Sequence, residues 1–172
     1  PALNIERVSV RLLIAKIIKE AEVMLDNRPN IEFKVFIGAG VDQADFDSTH
    51  MMVALKSLIR NSAEAIDCNE DARGTIDLRI DHVASDFIEF AVIDDGQGIS
   101  DDVARHLFDP FYSGREAGRG LGFGLSKVWT IAKLHGGKLA FDGSTKFGTR
   151  FSLRLPTQVK NSVFNSETSE SS

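Results

Sequence analysis

The chain has 172 residues, and its 20 lysine and arginine residues against 25 aspartate and glutamate residues give a formal net charge of −5. The acidic balance argues against nucleic-acid binding as the main function, since phosphate backbones require a clustered excess of lysine and arginine. No apolar run approaches the roughly 18 residues that a membrane span needs, and the single cysteine, Cys68, cannot form an internal disulfide. We therefore expect one cytoplasmic domain without membrane contact by this segment. Because the first residue is Pro1 rather than methionine, we expect a longer polypeptide, in which a membrane anchor upstream stays an open alternative.

Two amphipathic helices alternate with a strand in the first half of the chain. Residues 10–26 carry apolar side chains at helical spacing, and residues 31–37 follow with a strand pattern. Asp47 or Ser48 suits the N-cap of a second helix that reaches about Asp67. The apolar stripe of this helix consists of Met51, Ala54, Leu55, Leu58, Ile59 and Ile66.

The second half predicts paired strands around a glycine-rich segment. Strands are expected at residues 74–83, 87–94, 137–141 and 149–155. A poorly periodic stretch runs from Asp95 to about Leu121, and a third helix is expected from about Gly122 to His135. The side chains expected to point inward from this helix are Leu125, Val128, Trp129 and Ala132.

The order of these elements predicts the fold class. The later strands come in pairs with short connections, which favours a mixed, mostly antiparallel sheet with helices on one face, an α+β two-layer sandwich. We assign residues 1–156 to this domain. Residues 157–172 are rich in serine, threonine, asparagine and glutamate, and we expect them to form a disordered polar tail.

The first motif with candidate chemistry is an asparagine in the second helix. Asn61 stands at the edge of the apolar stripe in the segment LIRNSAEAID. The simplest interpretation is a helix-surface amide. However, a neutral amide oxygen also suits Mg²⁺, which takes few protein ligands when substrate phosphates supply the rest.

The second motif is a strand that ends in DDGQG. Asp94 closes an apolar strand, where burial of a carboxylate without hydrogen-bond donors is costly. The exocyclic amino group of a purine would supply a donor, and Gly96 and Gly98 would let the ring lie against bare backbone. A tight Asp-Gly turn after the strand is the alternative.

The third motif, GRGLGFGLS, alternates Gly118, Gly120, Gly122 and Gly124 and leads directly into a helix. Free backbone N–H groups and a helix N-terminus together form an anion site, and glycines allow phosphate to approach closely. The segment is neither a Walker A loop nor a dinucleotide fingerprint.

Taken in order with LFDPFYSGR, HGG and FGT, these motifs resemble the catalytic ATP-binding domain of two-component sensor histidine kinases. The resemblance spans about residues 47–156 and implies the Bergerat-type α/β sandwich that gyrase, mismatch-repair ATPases and heat-shock chaperone ATPases share. It implies binding of ATP and Mg²⁺ and transfer of the γ-phosphoryl group to a histidine. That histidine is expected on a separate dimerisation domain upstream of Pro1, with a response regulator as an indirect partner.

The same resemblance implies roles by position. Asn61 would ligate Mg²⁺ and act in catalysis, and Asp94 would bind the adenine amino group. Arg115 stands where the family often has a phosphate-facing lysine and would also be catalytic, while Thr149 would support the adenine side. The other expected nucleotide contacts are Gly96, Gly98, Gly120, Leu121, Gly122, Phe123, Gly124 and Leu125.

One position departs from the hydrolytic members of the superfamily. They carry a glutamate base four residues before the magnesium asparagine, and histidine kinases commonly have a second asparagine there, whereas this chain has Ser57. A hydroxyl is a poor general base at neutral pH, so we expect slow hydrolysis. A hydrolytic ATPase or anti-sigma serine kinase of the same superfamily, and a nucleotide-binding module without catalysis, remain the alternatives.

Overall fold

A computed structural model of the chain describes residues 3–107, 109, 124–144 and 148–158. Strands and helices are interspersed along these residues. In chain order they are β1 (Glu6–Ser9), α1 (Val10–Leu25), β2 (Ile31–Ile37), β3 (Gln43–Phe46), α2 (Ser48–Asp67), a short 3₁₀ helix (Glu70–Ala72), β4 (Gly74–Val83), β5 (Phe87–Asp94), α3 (Asp101–His106), α4 (Gly124–Leu134), β6 (Lys138–Ser144) and β7 (Gly148–Pro156).

The main sheet has five strands in the order β2-β4-β5-β7-β6. Strand β2 runs parallel to β4, and the remaining pairs are antiparallel. A separate small sheet pairs β1 with β3. The prediction of a mixed, mostly antiparallel sheet is therefore confirmed.

One face of the sheet carries the core and the helices. Side chains alternate across a strand, so Ile88, Phe90 and Val92 of β5 join the buried cluster with the apolar stripes of α1, α2 and α4. On the opposite face, Glu89 is buried beneath Arg150 and Arg154, whose guanidinium nitrogens lie 2.6 and 2.5 Å from its carboxylate oxygens. The predicted two-layer sandwich with helices on one face is thus confirmed.

Asp47 joins the N-terminal segment to the helices at the end of the sheet where β5 begins. Its carboxylate caps α2 by accepting from the His50 backbone N–H at 3.0 Å, and it accepts from the Asn4 N–H at 2.8 Å. Burial opposes ionisation, but these hydrogen bonds outweigh it and lower the pKa of Asp47 to about 2. The backbone N–H of Asp47 donates to Nε2 of the buried His135 at 3.0 Å, and Nδ1 of that ring lies 2.7 Å from the Ile131 carbonyl. Both ring nitrogens of His135 are therefore engaged, and burial lowers its pKa.

Three features differ from the sequence-based expectations. The small sheet of β1 and β3 was not predicted, because each strand has only four residues. Helix α3 lies inside the stretch expected to be irregular, and its Ser100 cap and acidic first turn are the local signals for it. The expectation that Trp129 points inward was wrong: 39% of it is exposed, and Ile131 occupies the core instead. Trp129 lies at the margin of the apolar stripe, where the Lys133 ammonium sits 5.5 Å from its ring.

Backbone hydrogen bonds to the domain continue one residue past Pro156, the last residue of β7. The Thr157 N–H donates to the Asp86 carbonyl at 2.8 Å, and the Thr157 carbonyl accepts from the Asp45 N–H at 3.1 Å.

Among the described helices, none combines the length and apolar character that a membrane span requires.

Candidate functional site

Buried polar side chains gather where β5 ends beneath α2. Asp94 is the last residue of β5 and pairs in register with Thr149 of β7, and both lie on the helix-bearing face. Asn61 and Ser62 are adjacent on α2. All four are nearly inaccessible: 3% of Asp94, 4% of Thr149, 6% of Asn61 and 1% of Ser62 is exposed. The interpretation of Asn61 as a helix-surface amide is therefore wrong.

The Asp94 carboxylate is held by three donors. The Ser62 hydroxyl donates to Oδ2 at 2.8 Å, the Gly96 N–H donates to Oδ1 at 3.0 Å, and the Thr149 backbone N–H also donates to the carboxylate. Burial nevertheless raises the pKa of Asp94 to about 6, and the nearby negative charge of Asp95 adds to that rise. Because burial and Asp95 destabilise the ionised form, one further hydrogen-bond donor would stabilise the Asp94 carboxylate.

Two buried polar atoms of these residues lack hydrogen-bond partners among the described residues. They are Nδ2 of Asn61 and Oγ1 of Thr149. A buried polar group without a hydrogen bond costs about 1–3 kcal/mol, so native structures rarely keep one except where a ligand, ion or water completes it. These unpartnered atoms and the Asp94 carboxylate together make this end of the sheet the candidate site for a polar ligand.

The turn after β5 is packed tightly against α2. A Cβ on Gly96 would lie 2.7 Å from the carbonyl carbon of Ala65 and 2.8 Å from the nitrogen of Ile66. The Gln97 N–H donates to the Ala65 carbonyl at 3.0 Å. Glycine is thus required at position 96 by the helix alone, before any ligand is considered. Gly98 is buried in the same turn.

The start of α4 approaches the middle of α2. A Cβ on Gly124 would lie 3.4 Å from Cβ of Ser57, so the first turn of α4 and the Ser57 position face each other. Leu125 is 2% exposed and its side chain belongs to the core, which leaves only its backbone for a ligand. The other expected contacts, Arg115, Gly120, Leu121, Gly122 and Phe123, lie outside the described residues.

Two residues of the site escaped the sequence analysis. Ser62 was not singled out, because a serine in a helix gives no signal of a partner 32 positions away. Gly148 was not singled out either. Its φ of +84° is a conformation that L-residues rarely adopt, and a Cβ there would overlap the Asp94 carbonyl. The local hint is the Gly-Thr pair of the FGT motif, which begins β7.

A separate cavity of about 750 Å³ lies at the opposite end of β5, among Phe87, Leu134, His135 and Pro156. Its buried histidine already has both ring nitrogens engaged. This histidine therefore has no ring nitrogen left for a ligand in the cavity. Within the described ranges, no three histidine, cysteine or acidic side chains are grouped as a metal site.

Comparison with known proteins gives a consistent result. The family model described as histidine kinase-, DNA gyrase B-, and HSP90-like ATPase matches residues 46–159. The sensor protein FixL of Bradyrhizobium diazoefficiens is 28% identical over 151 residues, which cover 86% of this chain and 29% of FixL. FixL and three further curated relatives are all much longer than this chain, and the aligned segments make up 8% to 31% of their lengths.

Solved structures share the fold. The catalytic domain of histidine kinase ThkA superposes with a TM-score of 0.75 at 23% identity, covering 90% of this chain and 97% of that one. The mycobacterial sensor histidine kinase MprB gives a TM-score of 0.71 at 23% identity, covering 90% of this chain and 99% of that one. Because both sequence identities are 23%, this likeness shows a shared fold alone.

Proposed function

Since the chain belongs to the histidine kinase-, DNA gyrase B- and HSP90-like ATPase family, we propose that it is the ATP-binding catalytic domain of a sensor histidine kinase. It positions Mg²⁺-ATP so that the γ-phosphoryl group passes to a histidine on a separate dimerisation domain of the longer protein. The observation that carries this proposal is the buried Asp94 carboxylate together with the buried, unpartnered polar atoms of Asn61 on α2 and Thr149 on β7.

Asp94 would bind the adenine ring. A buried carboxylate that already accepts from Ser62 and Gly96 still has lone pairs for the exocyclic amino group. The Thr149 hydroxyl lies beside it in register and can donate to or accept from the base or a bridging water. This arrangement favours adenine over guanine, whose carbonyl would oppose the carboxylate.

Asn61 would hold the magnesium ion. Its amide is buried with one end unpartnered among the described residues, and a flip of the amide presents oxygen in the same place. Mg²⁺ uses few protein oxygens when phosphates supply the others, so a single amide fits it. When bound, the ion would neutralise charge on the phosphates; the contribution of this chain is to hold and orient it.

The phosphates would lie at the start of α4, where backbone N–H groups are free of helical partners. Gly124 begins this helix. The roles of Gly120, Leu121, Gly122, Phe123 and Arg115 in contacting the phosphates rest on the motif order alone. Catalysis by such a domain is mainly positioning and neutralisation of charge.

Ser57 favours the kinase over a hydrolytic relative. It faces the first turn of α4, where a base that activates water would have to lie. A serine hydroxyl does not deprotonate water at neutral pH, so ATP should survive until an acceptor side chain arrives.

The partners follow from this function. The dimerisation domain with the acceptor histidine is expected in the rest of a longer chain, in the cytoplasm, and a response regulator would act downstream. ThkA, which shares the fold, has been solved in complex with the response regulator protein TrrA, which supports this placement.

The test is phosphoryl transfer in trans. The 172-residue chain is mixed with labelled ATP, Mg²⁺ and the histidine-bearing domain of its own full-length protein. We expect an acid-labile phosphohistidine on the added domain, formed slowly because the tether is cut. The chain alone should release little phosphate. Rapid phosphate release, or an acid-stable phosphoserine on an added protein, would favour the ATPase or serine-kinase alternative instead.

A further inference from the structure

We propose that Ser62 determines the base specificity of the site by fixing Asp94 as a pure hydrogen-bond acceptor. The pair then selects purines with a 6-amino group and rejects purines with a 6-oxo group. This inference rests on the proposed nucleotide site and assigns a role to a residue that the motifs do not mark.

The contact between the two side chains is short and enclosed. The Ser62 hydroxyl lies 2.8 Å from Oδ2 of Asp94, and Ser62 is 1% exposed. The other carboxylate oxygen accepts from the Gly96 N–H at 3.0 Å. These two donors, on different oxygens, fix the rotation of the carboxyl plane. Ser62 lies within helix α2, and Gly96 lies in the packed turn after β5.

The direction of this hydrogen bond is unusual for a serine inside a helix. Such a hydroxyl often bonds back to the carbonyl four residues earlier, within its own helix. Here the hydroxyl reaches across to the end of β5 instead. Because Asp94 is an ionised acceptor near neutral pH, the hydrogen must lie on Ser62 and point toward Asp94.

The number of hydrogens that Ser62 and Asp94 can donate explains the base specificity. A serine hydroxyl has one hydrogen, and an ionised carboxylate has none. Once that hydrogen is committed to Oδ2, the pair offers only lone pairs to a ligand. A 6-amino group can donate to them, whereas a 6-oxo group would place one acceptor against another and leave both unpaired.

Replacing Ser62 by alanine changes this count. The variant removes this donor, and a water molecule that takes its place when nucleotide binds brings two hydrogens. Such a water can donate to Asp94 and to a 6-oxo group at the same time, and the carboxylate also gains freedom to rotate. Discrimination between the two purines should therefore fall, even though the protein keeps its fold.

The experiment compares ATP with inosine triphosphate, which carries the 6-oxo group and otherwise the same ribose and phosphates. Calorimetry at pH 8 with Mg²⁺ measures both affinities for the wild type, for Ser62→Ala and for Ser152→Ala. Ser152 is a matched control, because it is 4% exposed and accepts from Arg150 Nε at 3.2 Å on the other face of the sheet.

We expect the wild type to prefer ATP. In the Ser62→Ala variant the ratio of the affinity for ATP to the affinity for inosine triphosphate should be roughly tenfold smaller, consistent with one hydrogen bond to a charged group. Ser152→Ala should keep the wild-type preference. Equal weakening of both nucleotides in Ser62→Ala, or an unchanged preference, would overturn the role of Ser62 while leaving the proposed function intact. A wild-type chain that binds neither nucleotide would overturn both.

Discussion

Replacing Asp94 with asparagine should make the domain more stable at neutral pH and weaken its binding of ATP. Burial raises the pKa of Asp94 from 3.8 to about 6. The folded state therefore binds this proton more tightly than the unfolded state, and between about pH 4 and pH 6 the free energy of unfolding falls as pH rises. A shift of about 2 pKa units corresponds to about 3 kcal/mol of destabilisation above pH 6. Asparagine keeps the shape of the side chain and removes the charge, so most of this loss should be recovered.

The assay is urea unfolding of the wild type and Asp94→Asn at several pH values from 4 to 7, with calorimetry of ATP binding at pH 7. We expect the variant to gain up to about 3 kcal/mol at pH 7, with the difference approaching zero at pH 4. Its affinity for ATP should fall by about 1–3 kcal/mol, because its amide nitrogen opposes the adenine amino group.

The control is Asp142→Asn, at an exposed position on β6, where stability should change by less than about 0.5 kcal/mol. Two results would refute the reasoning. One is a loss of stability in Asp94→Asn that does not depend on pH, which would mean that the charge itself supports the fold. The other is an unchanged affinity for ATP, which would remove Asp94 from the adenine site.

Three further predictions address the metal, the glycine beside Asp94 and the stability of the fold in acid. Asn61→Ala should slow Mg²⁺-dependent phosphoryl transfer by roughly 100-fold while adenosine binding stays near the wild-type level; full transfer would exclude Asn61 as the ligand. Gly148→Ala should cost about 2 kcal/mol or more in urea unfolding, because its Cβ would overlap the Asp94 carbonyl. Gly40→Ala, with a φ of +77° and open space around it, should cost about half as much; equal costs would contradict the overlap. The lowered pKa of Asp47, about 2, means that its contribution is present above about pH 4 and is lost as pH falls toward 2. The free energy of unfolding of Asp47→Ala should therefore fall less steeply than that of the wild type as the pH falls from about 4 toward 2.

The core residues and most of the helices and strands could be predicted from local sequence patterns. Every residue of the apolar stripe expected for α2 is buried, because a 3.6-residue period leaves few alternatives for a helix that must cover a sheet. Asn61 and Asp94 stood out for the opposite reason, since Asn61 is a polar group at the edge of the apolar stripe and Asp94 is a carboxylate that closes an apolar strand. A chemical mismatch of that kind is visible in sequence.

The structural features that could not be predicted from the sequence depend on contacts between distant segments. Ser62 looks like any serine in a helix until β5 places Asp94 beside it, and Gly148 looks like any turn glycine until its φ is known. Strands β1 and β3 are too short for a period and are held by pairing with each other. Trp129 was misplaced because helical spacing does not distinguish the centre of a stripe from its margin.

The central claim is that the nucleotide binds where β5 ends beneath α2, and backbone amide NMR during titration with Mg²⁺ and a non-hydrolysable ATP analogue tests it most directly. We predict the largest shifts at the amides of Gly96 and Thr149 and at the side-chain amide of Asn61. The amides of Phe87 and His135, at the far end of the sheet, should move little. Shifts concentrated at that far end, with the Asp94 end unchanged, would contradict the account.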